Sequence, residues 1–196
     1  MNLTFKQYRA IDLTILAVVL CVCEFLTAMG ATVWFPGQLF ALSPTVTMVC
    51  IVMMRWNGYA AVHAVLGGLV YCLASGASGE QILIYCAGNL FALLALILFK
   101  VFGKKKIKEK FGFTVLFTLA AFLGAQLGRW LISLLFGSSP DTIIVFLTTD
   151  SLSLLFAVVV VLISRRVDGL FEDQKEYLIR VQAERKRKEA EDYYNS

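Results

Sequence analysis

The sequence predicts an all-α polytopic membrane protein: six transmembrane helices, both termini cytoplasmic, and a C-terminal cytoplasmic helix. Three observations lead there. Of 196 residues, 59% are hydrophobic and only 16% charged, with a mean hydropathy of +0.74, whereas a soluble domain is about half apolar and a quarter charged. Too little polar surface remains to cover a fold in water. The apolar residues also gather in long runs, and the Lys and Arg behind the net charge of +4 cluster in short segments between those runs.

A bilayer core takes about 20 mostly apolar residues as a helix, with every backbone polar group paired inside the span. The first run, residues 13–35, follows Lys6 and Arg9 as a signal peptide would. It continues past signal length without a cleavage pattern, so it reads as a membrane helix that stays. Pro36-Gly37 breaks it. The second and third runs, residues 39–56 and 58–75, are short, and Asn57-Gly58 between them leaves room for a tight helical hairpin. Residues 76–79 separate these from the fourth run, 81–102. The Lys-rich stretch 103–110 leads into the fifth, 111–136, and residues 137–141 lead into the sixth, 142–164.

Positive charge sets the orientation, because loops near span ends retain Lys and Arg on the cytoplasmic side. Lys6 and Arg9 precede the first span, Arg55 sits at the turn after the second, and Lys100, Lys104, Lys105, Lys106, Lys108 and Lys110 follow the fourth. Arg165, Arg166 and all later basic residues follow the sixth. The alternate connections, around Pro36, Gly76 and Ser138, hold none. Every basic residue except Arg129 therefore falls on one side of a six-span chain with both ends inside. No internal repeat is visible.

Cys21, Cys23, Cys50, Cys72 and Cys86 all lie in apolar runs and read as small hydrophobes rather than a disulfide framework or a metal site. His63, the only histidine, has no clustered partner and reads as structural. Neither a metal nor another cofactor is expected. There is no zinc-protease helix, no serine elbow and no phosphate-binding loop, so the chain is expected to be neither an enzyme nor an ATPase. Nothing points to nucleic acid.

Ionisable groups at membrane depth must be paired, face water or serve a ligand. Arg129 lies about 10 Å below the outer end of the fifth span, and Asp150 about 12 Å below that of the sixth, at 1.5 Å per residue. Asn89 lies at a similar depth, with Tyr85 one turn above it, Gln126 one turn below Arg129 and Thr149 beside Asp150. One reading is a structural ion pair with Arg129 snorkelling outward. The other is a solute pocket open to the outside, with Arg129, Asp150, Asn89, Gln126 and Thr149 as polar contacts and Tyr85, Trp130 and Trp34 as walls. Trp34 equally suits an interface anchor. Glu24, near the middle of the first span, leaves the intramembrane charge at minus one, which a proton, a cation or a cationic ligand group would balance.

Small residues recur at helix-packing spacing, Ala60, Ala64 and Gly68 in the third span and Gly124 with Gly128 in the fifth. They suit internal packing or docking of a separate membrane protein. The last part of the chain, residues 167–196, alternates acids and bases, with Glu176/Arg180, Arg180/Glu184, Glu184/Lys188 and Arg185/Glu189 four residues apart. It reads as a separate, solvated helical tail after a membrane domain of residues 1–166.

Taken together, the compact six-span pattern resembles a family, the substrate-binding S components of energy-coupling factor (ECF) transporters. The similarity covers roughly Tyr8 to Arg166 and rests on the Gly-punctuated third span, Asn57-Gly58-Tyr59-Ala60-Ala61 to Gly67-Gly68. Gly88-Asn89-Leu90, the Lys-rich loop that follows, and Asp150 add to it. The resemblance implies uptake of a vitamin or related micronutrient across a prokaryotic cytoplasmic membrane, with a solute pocket in the outer half. It also implies a separate energising module of one coupling membrane subunit and two ATPases. Ala10 and Ala17 do not give the family's Ala-x-x-x-Ala docking stripe in the first span, which leaves Ala60 and Ala64 as the docking candidates. The tail is longer than the family requires. The competing class is a non-transporting scaffold of cell-shape or cell-wall machinery that works through its cytoplasmic tail.

Overall fold

The computed structural model describes residues 4–35, 37 and 40–195, and every regular element among them is helical. Pro36, Leu39 and Ser196, which figure in the expected boundaries, lie outside the described residues. Helix α1, Phe5–Met29, starts earlier than the apolar run. The Thr4 hydroxyl accepts from Gln7 N at 3.3 Å while Thr4 N donates to Gln7 Oε1 at 2.9 Å, a reciprocal cap that satisfies the first turn. The helix ends in a π-helical turn, Gly30–Trp34. Leu20, Glu24 and Ala28 form its buried face at four-residue spacing, while Ile15, Val18, Val22 and Phe25 on the other faces are all more than half exposed. Such a row suits lipid as the solvent.

Helix α2, Thr45–Trp56, is buried at every residue but Met48. A 3₁₀ turn at Asn57–Tyr59 leads into α3, Ala60–Ala74. Asn57 adopts the left-handed region at φ 53°, and the chain doubles back: a Cβ on Gly67 of α3 would lie 2.8 Å from Thr45 Cγ2 at the start of α2. The two helices are thus the antiparallel arms of a hairpin.

Four helical stretches among the described residues are long and apolar enough to cross a membrane: Phe5–Trp34, Thr45–Ala74, Gly79–Phe102 and Phe111–Leu135. Helices α8 and α9, Thr142–Thr149 and Ser151–Ser164, are bent by 45° and make five if they form one span. The difference from the expected six lies in the hairpin, which counts here as one stretch, and in the bent pair. The hairpin arms of 12 and 15 residues measure about 18 and 22 Å at 1.5 Å per residue, each short of a core about 30 Å thick.

Helix α4, Gly79–Asn89, opens on a second reciprocal cap, Ser78 with Gln81, and runs through a 3₁₀ stretch, Leu90–Leu96, into α5, Ile97–Phe102. The short α6, Lys104–Glu109, then leads to α7, Phe111–Leu135, which packs against α2, α4, α8 and α9. Its approach to α4 depends on glycine. A Cβ on Gly88 would fall 2.5 Å from Arg129 N and 2.6 Å from Arg129 Cα, and one on Gly124 would fall 2.5 Å from Phe91 O. Backbone cannot swing aside as a long side chain does. Gly88→Ala is therefore expected to destabilise the chain by about 1–3 kcal/mol, read as a lower midpoint of thermal unfolding in detergent.

The basic end of the bundle is closed by the segment after α9. Phe171 is fully buried, its ring 6.3 Å from that of Phe117 in the apolar core. Arg55, 7% exposed, donates Nε and Nη2 to Asp12 at 2.9 and 2.5 Å and Nη1 to the carbonyls of Gly169 and Leu170. Trp56 Nε1 also donates to Asp12. Lys104 bridges Asp173 at 2.7 Å and Lys108 bridges Glu172 at 2.8 Å. Burial raises the Glu172 carboxyl, but hydrogen bonds from Lys108, Gly169 N and Arg180 together hold it below the usual carboxylate range. Tyr8 OH donates to the buried Gln174 at 3.0 Å.

Residues 169–174 therefore pack on the bundle, while Val167 and Asp168 before them are exposed. Helix α10, Gln174–Asn195, has exposed side chains from 181 to 188. Arg180 pairs with Asp168 at 2.7 Å and Glu172 at 3.1 Å, folding back toward the bundle instead of along its own helix. The expected pair of Arg185 with Glu189 reaches beyond the described side chains.

Candidate binding site

At the bend between α8 and α9 the backbone gives Asp150 an inward-facing place. Asp150 N still reaches Phe146 O at 3.3 Å and Leu154 N reaches Asp150 O at 3.1 Å, so the kink leaves the local ladder partly intact. The loop ahead of α2 lies against this bend. Ala41 N donates to Thr149 O at 2.9 Å, Ser153 Oγ donates to Ala41 O at 3.0 Å, and Ser43 N donates to Ser153 Oγ at 2.9 Å. Irregular backbone at this depth is tolerable because its polar groups are met in this way.

Four of the expected site residues meet here in one buried network. Arg129 Nη1 donates to Asp150 Oδ2 and, at 3.4 Å, to Gln126 Oε1. Gln126 Nε2 donates to the same carboxylate at 2.9 Å. Arg129 Nε donates to Asn89 Oδ1 at 2.9 Å, and Asn89 Nδ2 donates to Ala64 O at 3.1 Å. Arg129 is 2% and Asp150 4% exposed, so the guanidinium does not snorkel toward a surface. Desolvating such a pair costs several kcal/mol per ion and is offset only when the remaining hydrogen bonds are made. The two amides supply them.

Tyr85, the fifth expected residue, joins the network from above: the Arg129 guanidinium lies 4.4 Å from its ring centroid. Its other side faces Tyr71, with ring centroids 5.6 Å apart and planes at 23°. The two tyrosines line a cleft of about 270 Å³ at the end of the bundle opposite the lysines, together with Cys72, Ser75 and Gln81.

Glu24 forms a second cluster. Its Oε1 accepts from Ser43 Oγ at 2.5 Å, from Thr45 N at 2.9 Å and from Thr45 Oγ1, so a carboxylate from α1 caps the N-terminus of α2. Its Oε2 is buried without a hydrogen-bond partner among the described residues, as are Thr47 Oγ1 and His63 Nδ1.

The remaining expected residues lie elsewhere. Trp34 is 64% exposed at the end of α1, and Trp130 Nε1 donates to Pro140 O at 3.0 Å, outside the network. Thr149 contributes its carbonyl to Ala41, as backbone only. The stripe Ala60, Ala64 and Gly68 is buried: a Cβ on Gly68 would fall 3.0 Å from Tyr85 backbone and from Asn89 Nδ2. It packs α3 against α4 and leaves no face for a docking partner, which corrects the docking expectation for these three residues. His63 Nε2 lies 3.1 Å from Leu13 O. The five cysteines are free thiols.

Sequence reasoning missed Ser43, Thr45, Tyr71 and Ser153 here, and Asp12 as the partner of Arg55. A carboxylate immediately before the first apolar run, beside the basic Lys6 and Arg9, was the available signal for Asp12. Comparison of the chain with family models, with curated proteins and with solved structures finds no match.

Proposed function

We propose that the protein is a membrane-embedded solute-binding subunit. It captures a vitamin or related micronutrient in the outer half of the bilayer and depends on a separate module, one coupling membrane subunit with two ATPases, for transport. The observation that supports this reading best is a cleft one wall of which, Tyr85, also packs on Arg129 of the Arg129–Asp150–Gln126–Asn89 network. Its volume approaches the lower end of small-molecule sites, and hydroxyl and amide groups of Tyr71, Ser75, Gln81 and Tyr85 line it. In this reading the hairpin arms count separately, giving six membrane passes with the basic end and both termini in the cytoplasm. The scaffold alternative is less favoured because the first part of the tail, which it would need free, docks inward.

The test is a stability screen of the purified protein against vitamins and related solutes, with mass spectrometry for a co-purified compound. A compound that raises the unfolding temperature of the native chain but not of Arg129→Gln supports the reading; a comprehensive panel without any stabilising compound counts against it. Orientation is tested separately. Cysteine placed at Ser138 or Ser78 should react with an impermeant reagent in intact cells, and cysteine at Lys105 should not. Outside labelling at Lys105 overturns the outward-facing site.

A further inference from the structure

With Arg129 and Asp150 paired to each other, Glu24 is a buried carboxyl group in the middle of the bundle with no ion pair among the described residues. All its hydrogen bonds fall on one oxygen. Oε1 takes three donors, among them the first amide of α2. Oε2, equally buried, takes none. A bare carboxylate oxygen in a low-dielectric interior is costly unless something positive meets it.

We propose that Glu24, with the hydroxyls of Ser43 and Thr45, binds a monovalent alkali cation of sodium size at Oε2. The donor set is all oxygen: a carboxylate and two hydroxyls that donate to Oε1, of which Ser43 Oγ also accepts from Thr45 N at 3.3 Å while Thr45 Oγ1 keeps its lone pairs. Cys and His are absent from it, which selects a hard cation over a transition metal. One carboxylate matches one positive charge. A divalent ion would need a second, and Asp150 is committed to Arg129 and Gln126. The neighbouring segment 41–44 is irregular backbone. That segment is tied to Thr149 and Ser153 on either side of Asp150, so a cation at Glu24 braces the bend that carries the Arg129 network. The inference requires no solute and stands apart from the transport reading.

The experiment is thermal unfolding of the purified full chain, without added solute, in sodium, potassium or choline chloride at constant ionic strength. Sodium is expected to stabilise in a saturable manner and potassium less. Glu24→Gln should weaken the apparent sodium affinity by about tenfold or more, the loss expected for one charge-assisted contact. Should that variant fail to fold, Ser43→Ala with Thr45→Ala, which keeps the carboxylate and the Thr45 amide, should show a weakened response. Equal responses to the three salts overturn the proposal, as does a Glu24→Gln protein with a full sodium response. Stabilisation that follows pH and ignores sodium also overturns it, since a proton then occupies Oε2. The solute screen can fail without touching this result.

Discussion

Asp150→Leu is expected to cost about 3–5 kcal/mol of stability, because it strands the Arg129 guanidinium without its counter-ion in a dry part of the bundle. Arg129 is 2% exposed and has no path to water through its own surface. The second substitution decides what the pair is for. Arg129→Leu with Asp150→Leu removes both charges, and buried pairs replaced by apolar residues of similar size regain most of the lost stability. Gln126 and Asn89 would then lose partners, so recovery should be incomplete, short by about 1–3 kcal/mol. Unfolding midpoints in detergent for the two single variants and the double variant give the comparison. A double variant no more stable than the singles shows that the amides, rather than the charges, hold α4 to α7 and α9. With a solute in hand, Asp150→Asn separates the roles further, as it keeps shape and hydrogen bonding while removing charge. A folded Asp150→Asn protein with tenfold or weaker affinity places the carboxylate among the ligand contacts.

The second large effect belongs to the tail. Phe171→Ala is expected to destabilise by about 3–5 kcal/mol, the usual cost of emptying a fully buried aromatic site. Phe171 is 0% exposed against Phe117. Truncation after Arg166 should do worse. It removes that ring, the carbonyls that receive Arg55, and both carboxylates that face Lys104 and Lys108. Truncation after Arg180 keeps all of these and should leave the unfolding midpoint nearly unchanged. A chain ending at 166 with wild-type stability would show that the segment merely rests on the bundle.

These two regions show how far the sequence could be read. Arg129, Asp150, Asn89 and Gln126 were legible because polar residues are rare in apolar runs, and counting residues from each span end put them at one depth. Their arrangement follows from helix rotation, which depth does not fix. Trp130 and Thr149 sit at the same level as the network yet face elsewhere. The hairpin at Asn57 was legible from Asn-Gly between two short runs, although its arms of 12 and 15 residues are each shorter than a full span. Ser43 and Thr45 were not, since hydroxyls at a loop-to-helix junction look like any N-terminal cap, and nothing local says that the capping carboxylate comes from α1. The tail was misjudged for a related reason. Alternating charge marks a solvated helix, but Phe171 and Gln174 act through a long-range fit that spacing within the segment does not encode.

The near-complete enclosure of α2 bears on how the chain is assembled. A segment of 12 residues that meets neighbours on almost every face has little opportunity to partition into lipid on its own, and it carries Thr45, Thr47 and Arg55, which lipid would penalise. Its place in the membrane is created by α1, α3, α7 and α9, three of which are made no earlier than α2 itself. During synthesis the hairpin must therefore wait, shallow or shielded, until the later helices enclose it. Selection on α2 is then for fit to those neighbours rather than for oiliness, leaving polar side chains free to accumulate along a segment that hydropathy alone ranks among the weakest.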